Sequence, residues 1–234
     1  MRRLRKLGAA LFAVAAIGAV MASSALAAAT TTDVQWYTGS SPGTVLSGSE
    51  SISSTLVGTA AFHTNLSGGA LTYLVEATGV ECVECKIENS GGTAIGSGKL
   101  KFTGVTLVEP KLCTVPSTLT TNALSIQADW MSGSTNYWKF TPAAGESTTF
   151  VTIPVSGQCG GELTLVIKGD AFGETANATG VQAVEQELHF SETINTAAGG
   201  AAGTLHVGTS AVNFTAAIKF KMSGAKTGVA FGTH

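Results

Sequence analysis

The stretch LTYLVEATGVECVEC, residues 71–85, runs from an alternating apolar segment straight into a Cys-x-x-Cys pair. In an extended chain, Tyr73 and Val75 lie on one side, and Thr72 and Glu76 lie on the other. Alternation with a period of two is typical of a β-strand that has one buried and one solvent-exposed face. The stretch therefore predicts a strand that leads into cysteines able to cross-link the fold.

The rest of the chain repeats this pattern in short segments, which are separated by turns rich in Gly, Ser, Asn and Pro. Residues 211–222 show the clearest alternation. No segment has a convincing helical period; residues 181–195 are ambiguous, and their context favours a strand. We therefore expect an all-β protein: an antiparallel β-sandwich, or two stacked sandwich-like halves, stapled by disulfides.

Residues 124–130 and 137–141 predict a hairpin around a polar turn. Pairing Met131 with Tyr137 would place Trp130 opposite Trp138. The same register would place Asp129 opposite Lys139, with the apolar residues on the other face.

The first 27 residues predict a secretory signal peptide. A basic start is followed by an uncharged apolar run and by Ala25-Leu26-Ala27, a small-x-small cleavage pattern. The apolar run is short for a membrane span, and no second apolar run follows it. We expect residues 28–234 to form the exported all-β region, with a candidate subdivision near residue 116, and no membrane span after signal removal.

Charge argues against nucleic-acid binding. Four of the 13 Lys and Arg residues lie in the signal region, which leaves 9 against 15 acidic residues and a net charge of −6. No arginine follows Arg5. Because arginine is the usual reader of phosphates and base edges, we expect no nucleic-acid partner.

Four cysteines, Cys82, Cys85, Cys113 and Cys159, predict two disulfides in an exported protein. A separation of three residues in a regular strand points Cys82 and Cys85 to opposite faces. That geometry favours pairing of Cys82 with Cys113 and of Cys85 with Cys159, or the swapped arrangement. Redox chemistry of these cysteines is less favoured, since the Cys-x-x-Cys pair ends a predicted strand and glutamates surround it. A zinc site is less favoured because export leads into an oxidising space.

The aromatic residues Trp36, Trp130, Tyr137 and Trp138 are candidates for a ligand platform that stacks on sugars. The hairpin register also allows them to be core residues.

Catalytic, metal and cofactor motifs are not recognisable in the sequence. The four histidines are widely spaced, and the G-x-S-x-G motif is missing. A glycosidase would need two acids brought together by folding, and these glutamates are the candidates: Glu162, Glu174, Glu185, Glu187 and Glu192. We expect no catalytic residues, no metal ligands and no cofactor.

Several runs resemble a group of exported, β-rich bacterial proteins that have no assigned activity. The runs are GVECVECKIENSGG (79–92), GKLKFTGVTLVEPKLCTVP (98–116), GETANATGVQ (173–182) and FSETINTAAGGAAGTLHVG (190–208). The resemblance implies location and fold class and nothing chemical.

These observations predict a secreted or cell-surface protein that is not an enzyme and acts as a structural or interaction component. Its partner is unknown, and a cell-envelope component or a carbohydrate is the candidate. The alternatives are a carbohydrate-binding module that uses exposed aromatics and, less favoured, a hydrolase.

Overall fold

The structure is a computed structural model that describes residues 34–40, 43–132, 135–146, 148–157, 162–177, 181–199 and 205–234. The predicted signal peptide and Cys159 lie outside the described residues. The strands, in chain order, are β1 (Trp36–Thr38), β2 (Thr44–Val45), β3 (Glu50–Leu66), β4 (Leu71–Ala77), β5 (Gly79–Ser90), β6 (Thr93–Thr103), β7 (Thr106–Glu109), β8 (Cys113–Thr114), β9 (Thr118–Thr120), β10 (Leu124–Ser132), β11 (Thr135–Pro142), β12 (Thr149–Gly157), β13 (Leu163–Lys168), β14 (Ala171–Thr175), β15 (Glu185–Phe190), β16 (His206–Val207), β17 (Ser210–Met222) and β18 (Phe231–Thr233). One α-helix, α1, spans Glu192–Gly199, and short 3₁₀ turns occupy Ser67–Gly69 and Gly224–Lys226.

Eight antiparallel strands close into a barrel in the order β3, β5, β6, β10, β11, β14, β15 and β17. The ring closes because β17 pairs with β3 along most of its length, from Val212–Thr64 to Met222–Ile52. The all-β prediction is confirmed. The predicted sandwich is not confirmed, since this pairing joins two strands that a sandwich would leave as separate edges.

A second run of strands extends from the barrel on both sides of β3 and β17. β4 and β7 follow β3, and β16, β13, β12 and β8 follow β17. Strands from both sides of residue 116 pair with one another, because β6 also pairs with β9 and β10. The extension therefore shares β3 and β17 with the barrel.

The predicted alternation is confirmed in two strands. In β17, Val212, Phe214, Ile218 and Phe220 are buried, and the residues between them are more exposed. In β4, Tyr73, Val75 and Ala77 are buried as expected, whereas Leu71, the first residue of the strand, is half exposed.

A separate three-stranded sheet, in the order β18, β1 and β2, carries Trp36 and Phe231 into the core. Asn89 of β5 holds this sheet in place. Its Oδ1 accepts a hydrogen bond from the backbone N–H of Trp36 (2.6 Å), and its Nδ2 donates to the carbonyls of Trp36 (3.1 Å) and Leu46 (2.9 Å). The indole N–H of Trp36 donates to the carbonyl of Ile95 on β6 (2.8 Å).

A continuous chain of aromatic rings fills the interior. Trp36 lies 5.0 Å from Trp138, which lies 5.5 Å from Phe220. The chain then passes through Phe140, Phe190 and Phe214 to Phe62 and Phe102, with successive ring centroids 4.7–6.1 Å apart. Edge-to-face and offset contacts at these separations are the favoured geometries of aromatic pairs. An eight-stranded barrel either fills with side chains or encloses one small ligand, and this barrel is filled.

The helix α1 corrects the expectation that the chain has no helix. Residues 185–190 of the ambiguous stretch form a strand as expected, and α1 begins directly after it. Ser191 Oγ accepts the N–H of Ile194 (3.2 Å), a capping bond, and buried Asn195 accepts the N–H of Phe172 on β14 (2.7 Å). The helix is too short to form on its own, so packing against the barrel stabilises it.

The hairpin of β10 and β11 forms, but its predicted register is wrong. Gln127 pairs with Lys139, and Trp130 pairs with Tyr137. A β-bulge between Gln127 and Trp130 places one extra residue on β10 and shifts the pairing. The ammonium of Lys139 lies 3.0 Å from the carboxylate of Asp170, a residue that the predicted pairing did not include.

Candidate functional sites

The predicted cysteine pairing is wrong for Cys82 and Cys85, which form a disulfide with each other with Cα atoms 5.5 Å apart. The register of β5 against β6 shifts between Val83 and Lys86, and Glu84 has a φ of 55°. This bulge breaks the strict alternation of the strand, so the two side chains meet on one side.

Cys113 is also disulfide-bonded, and Cys159 lies outside the described residues. The Cα of Cys113 pairs with that of Gly157 at the junction of β8 and β12. Among the described residues no cysteine is free and no group of three or more His, Cys, Asp or Glu side chains has the arrangement of a metal site.

The candidate sugar platform does not assemble from the described aromatics. Trp36, Tyr137 and Trp138 are at most 4% exposed. Trp138 points into the barrel, whereas Tyr137, the adjacent residue, packs outside it against Phe172 and Ala198 of the helix layer. The side chain of Trp130 lies outside the described part of the structure. Buried rings cannot stack on a ligand, so these three residues stabilise the fold by packing.

Two of the candidate acids are engaged in surface ion pairs. Lys219 lies 3.2 Å from Glu185 and 3.8 Å from Glu187. The hydrogen bond from Lys219 to Glu185, together with the charges of both glutamates, raises the pKa of Lys219 above its ordinary value. Glu187 also contacts His189 at 3.3 Å. This group is a charge cluster on the outer faces of β15 and β17.

Glu162 is exposed at the start of β13, and Glu174 lies on β14, where it pairs with His189 of β15. Among the remaining histidines, His206 pairs with Lys168 between β16 and β13, and the ring of His234 lies 5.5 Å from that of Tyr37.

One candidate acid, Glu192, and one histidine, His63, line the same open pocket of about 230 Å³. The pocket lies where the outer faces of β3 and β17 meet the start of α1. Its full lining is His63, Thr64, Asn65, Glu192, Ala211 and Asn213. Glu192 is one of the acids that the sequence offers as glycosidase candidates, and His63 is one of the four widely spaced histidines. The two asparagines were not predicted, and the signal for them is that Asn65 and Asn213 occupy polar positions in alternating strands.

A second, much smaller cavity of about 10 Å³ lies beside Trp36, Asn136 and Gln186. Its volume is about that of one water molecule, so it has no room for an organic ligand.

Comparison with known proteins gives no match: no family model, no curated protein and no solved structure is similar to this chain. Within the part of the chain that the structure describes, no helix is both long and apolar enough to cross a membrane.

Proposed function

We propose that this protein is an exported, non-enzymatic component that acts through its outer surface, in a structural or interaction role at the cell surface or in the surrounding medium. The observation that carries the proposal is the aromatic chain from Trp36 to Phe102, which occupies the space where a barrel of this size would otherwise hold a ligand.

Export is supported by three features of the chain. Residues 1–27 have the basic, apolar and small-residue order of a signal peptide. The disulfide between Cys82 and Cys85 suits an oxidising compartment. The resemblance to exported β-rich proteins points the same way.

The outer surface supports an interaction role. In β12, Thr152, Pro154 and Ser156 alternate with buried residues and are exposed. Thr152 and Ser156 are short and polar and Pro154 is short, so this strand presents a surface without protruding side chains that can lie against an extended polymer. With a net charge of −6 after signal removal, the partner that fits is an uncharged or cationic component of the cell envelope.

Export is tested by expressing the full chain in a bacterium beside a variant that lacks residues 2–27. We expect the full chain outside the cytoplasm, with an intact mass that corresponds to a start at Ala28 and no free thiols, and the truncated chain inside. Recovery of the full chain in the cytoplasm with residues 1–27 attached would refute export.

The interaction role is tested with the purified exported protein. We expect saturable co-sedimentation with cell walls of the producing bacterium, without release of soluble fragments from them. Release of sugars or peptides from the walls would show that the protein is an enzyme, and an absence of co-sedimentation at every protein concentration would remove the cell-wall partner.

A further inference from the structure

The pocket at α1 lies on the outer face of the sheet, opposite the aromatic core. His63 of β3 and Asn213 of β17 are cross-strand partners, so their side chains share one face. Their neighbours Phe62 and Phe214 are also partners and are buried on the other face. His63 and Asn213 are therefore spared from core packing, and their polar groups are not needed to fill the barrel.

The start of α1 brings a carboxylate to this face. β15 pairs with β17 as far as Phe190 and Ala216, and Ser191 then caps the helix that begins at Glu192. A carboxylate is favoured in the first turn of a helix because the backbone N–H groups there carry partial positive charge. Glu192 is exposed, so its oxygens are accessible from the pocket.

The contact between Asn213 and Glu192 orients the amide. Nδ2 of Asn213 lies 3.5 Å from Oε2 of Glu192. A carboxylate accepts hydrogen bonds and does not donate them, so the NH₂ group faces Glu192 and Oδ1 faces away. That Oδ1 is buried and has no hydrogen-bond partner within the described residues. A buried carbonyl without a donor costs free energy, which a rotation of the amide toward the pocket, followed by a hydrogen bond from a bound donor, would recover.

The lining offers donors and acceptors side by side. Oδ1 of Asn65 accepts a hydrogen bond from Thr72 (2.8 Å). Its NH₂ group has no partner among the described residues and can donate to a ligand. Glu192 accepts, and the imidazole of His63 has one nitrogen of each kind when neutral. Ala211 of β17 lines the pocket with Asn65 of β3, and its small side chain leaves the space open. A ligand that fits must both donate and accept at neighbouring atoms.

We propose that this pocket binds a single polyhydroxylated ring of the monosaccharide class. Each hydroxyl of such a ring both donates and accepts, which matches the alternation of Asn65, Glu192 and His63. The volume of about 230 Å³ is below the range of about 300–1,000 Å³ for drug-sized ligands, so one ring fits and a longer chain would extend out of the opening. The proposal goes beyond the surface role proposed above and does not depend on export.

The test is an NMR titration of the ¹⁵N-labelled protein with the methyl glycosides of glucose, galactose, mannose and N-acetylglucosamine. We expect at least one of them to shift amide signals of residues 63–65, 192 and 211–213, with a dissociation constant on the order of 1 mM, as for other ligands of this size. If none of the four shifts these signals at about 20 times that concentration, or if the shifts lie elsewhere, the proposal is overturned.

Three variants separate binding from folding. Ala211→Leu fills the space without removing a polar group and should abolish the shifts. Glu192→Gln removes one charged acceptor and should weaken binding about tenfold. Glu88→Gln makes the same charge change on β5, where it does not line the pocket, and should bind as the parent does. If Ala211→Leu is unfolded by its amide spectrum, Glu192→Gln decides, and parent-like binding by Glu192→Gln would overturn the proposal.

Discussion

Asn89 should control whether the three-stranded sheet of β18, β1 and β2 stays attached to the barrel. Its side chain makes three hydrogen bonds to the backbone of the segment that carries Trp36, at 2.6, 3.1 and 2.9 Å. At about 1 kcal/mol each, the Asn89→Ala variant should lose about 3 kcal/mol of the free energy of unfolding. This loss is large against a total stability of about 5–15 kcal/mol for a protein domain.

Urea denaturation measures the global loss, and hydrogen exchange locates it. In Asn89→Ala the amide of Trp36 loses its acceptor, so residues 36–38 and 231–233 should exchange about a hundredfold faster while the centre of β17 is less affected. Thr72→Ala is a matched control, because its hydroxyl makes one exposed hydrogen bond and its loss should cost less than about 0.5 kcal/mol.

A destabilisation below about 1 kcal/mol, with unchanged exchange in residues 36–38, would refute the reasoning. It would mean that burial of Trp36 holds the three-stranded sheet in place without Asn89. Exchange that rises equally in all strands would instead show that the sheet opens only when the whole barrel unfolds.

Further predictions concern the cysteines and the glycine beside them. Because Cys82 pairs with Cys85, Cys159 remains as the partner of Cys113. Trypsin digestion of the unreduced protein should therefore give one cross-linked pair of peptides, 112–139 with 140–168. Linkage of either peptide to the peptide that ends at residue 86 would contradict this pairing. The Cys82→Ala/Cys85→Ala variant should lose about 2 kcal/mol of the free energy of unfolding, because that disulfide closes a loop of only about four residues. The Cys113→Ala/Cys159→Ala variant should lose about 4 kcal/mol, because its loop is much longer. Equal losses in urea denaturation would argue against the loop-length explanation. The Gly98→Ala variant should lose at least about 2 kcal/mol of the free energy of unfolding, since φ of Gly98 is 152° and an added Cβ would lie 2.7 Å from the Cα of Cys85. A urea midpoint equal to that of the parent protein would show that this strain is absent.

Local pattern was enough to predict strands, and it failed where one extra residue changes which face a side chain occupies. The alternation of Val212, Phe214 and Phe220 predicts β17 correctly, because each buried position depends only on its own strand. The bulge at Val83–Lys86 breaks that rule, and the cysteine pairing was wrong for this reason. The hairpin register was already wrong at Trp130–Tyr137, because the strands pair as far as Ser132 and Thr135, which makes the turn shorter than expected. The bulge at Gln127–Trp130 then shifts the pairing by one more residue. A bulge has weak sequence signals unless a glycine marks it.

Closure of the sheet was beyond sequence reasoning for a different physical reason. The contact that closes the ring joins β3 to β17, and Thr64 Oγ1 donates to the carbonyl of Ala211 (2.8 Å) across 147 residues of chain. An alternating strand has the same sequence pattern in a sandwich and in a barrel, since both bury one face. The candidate pocket likewise depends on long-range strand pairing, because its residues come from three segments that are distant in sequence.

The position of the pocket follows from how the core is filled. The inward positions of β3 and β17 hold Phe62 and Phe214, whose rings stack at 4.7 Å and fill the interior. A polar ligand group there would have to displace aromatic contacts and lose its own hydration, a combination that costs free energy. The outward positions next to them, His63 and Asn213, carry no such constraint. Helix α1, which the sequence pattern did not predict, adds Glu192 as a wall to this open sheet face, so the pocket depends on an element that only the folded chain reveals.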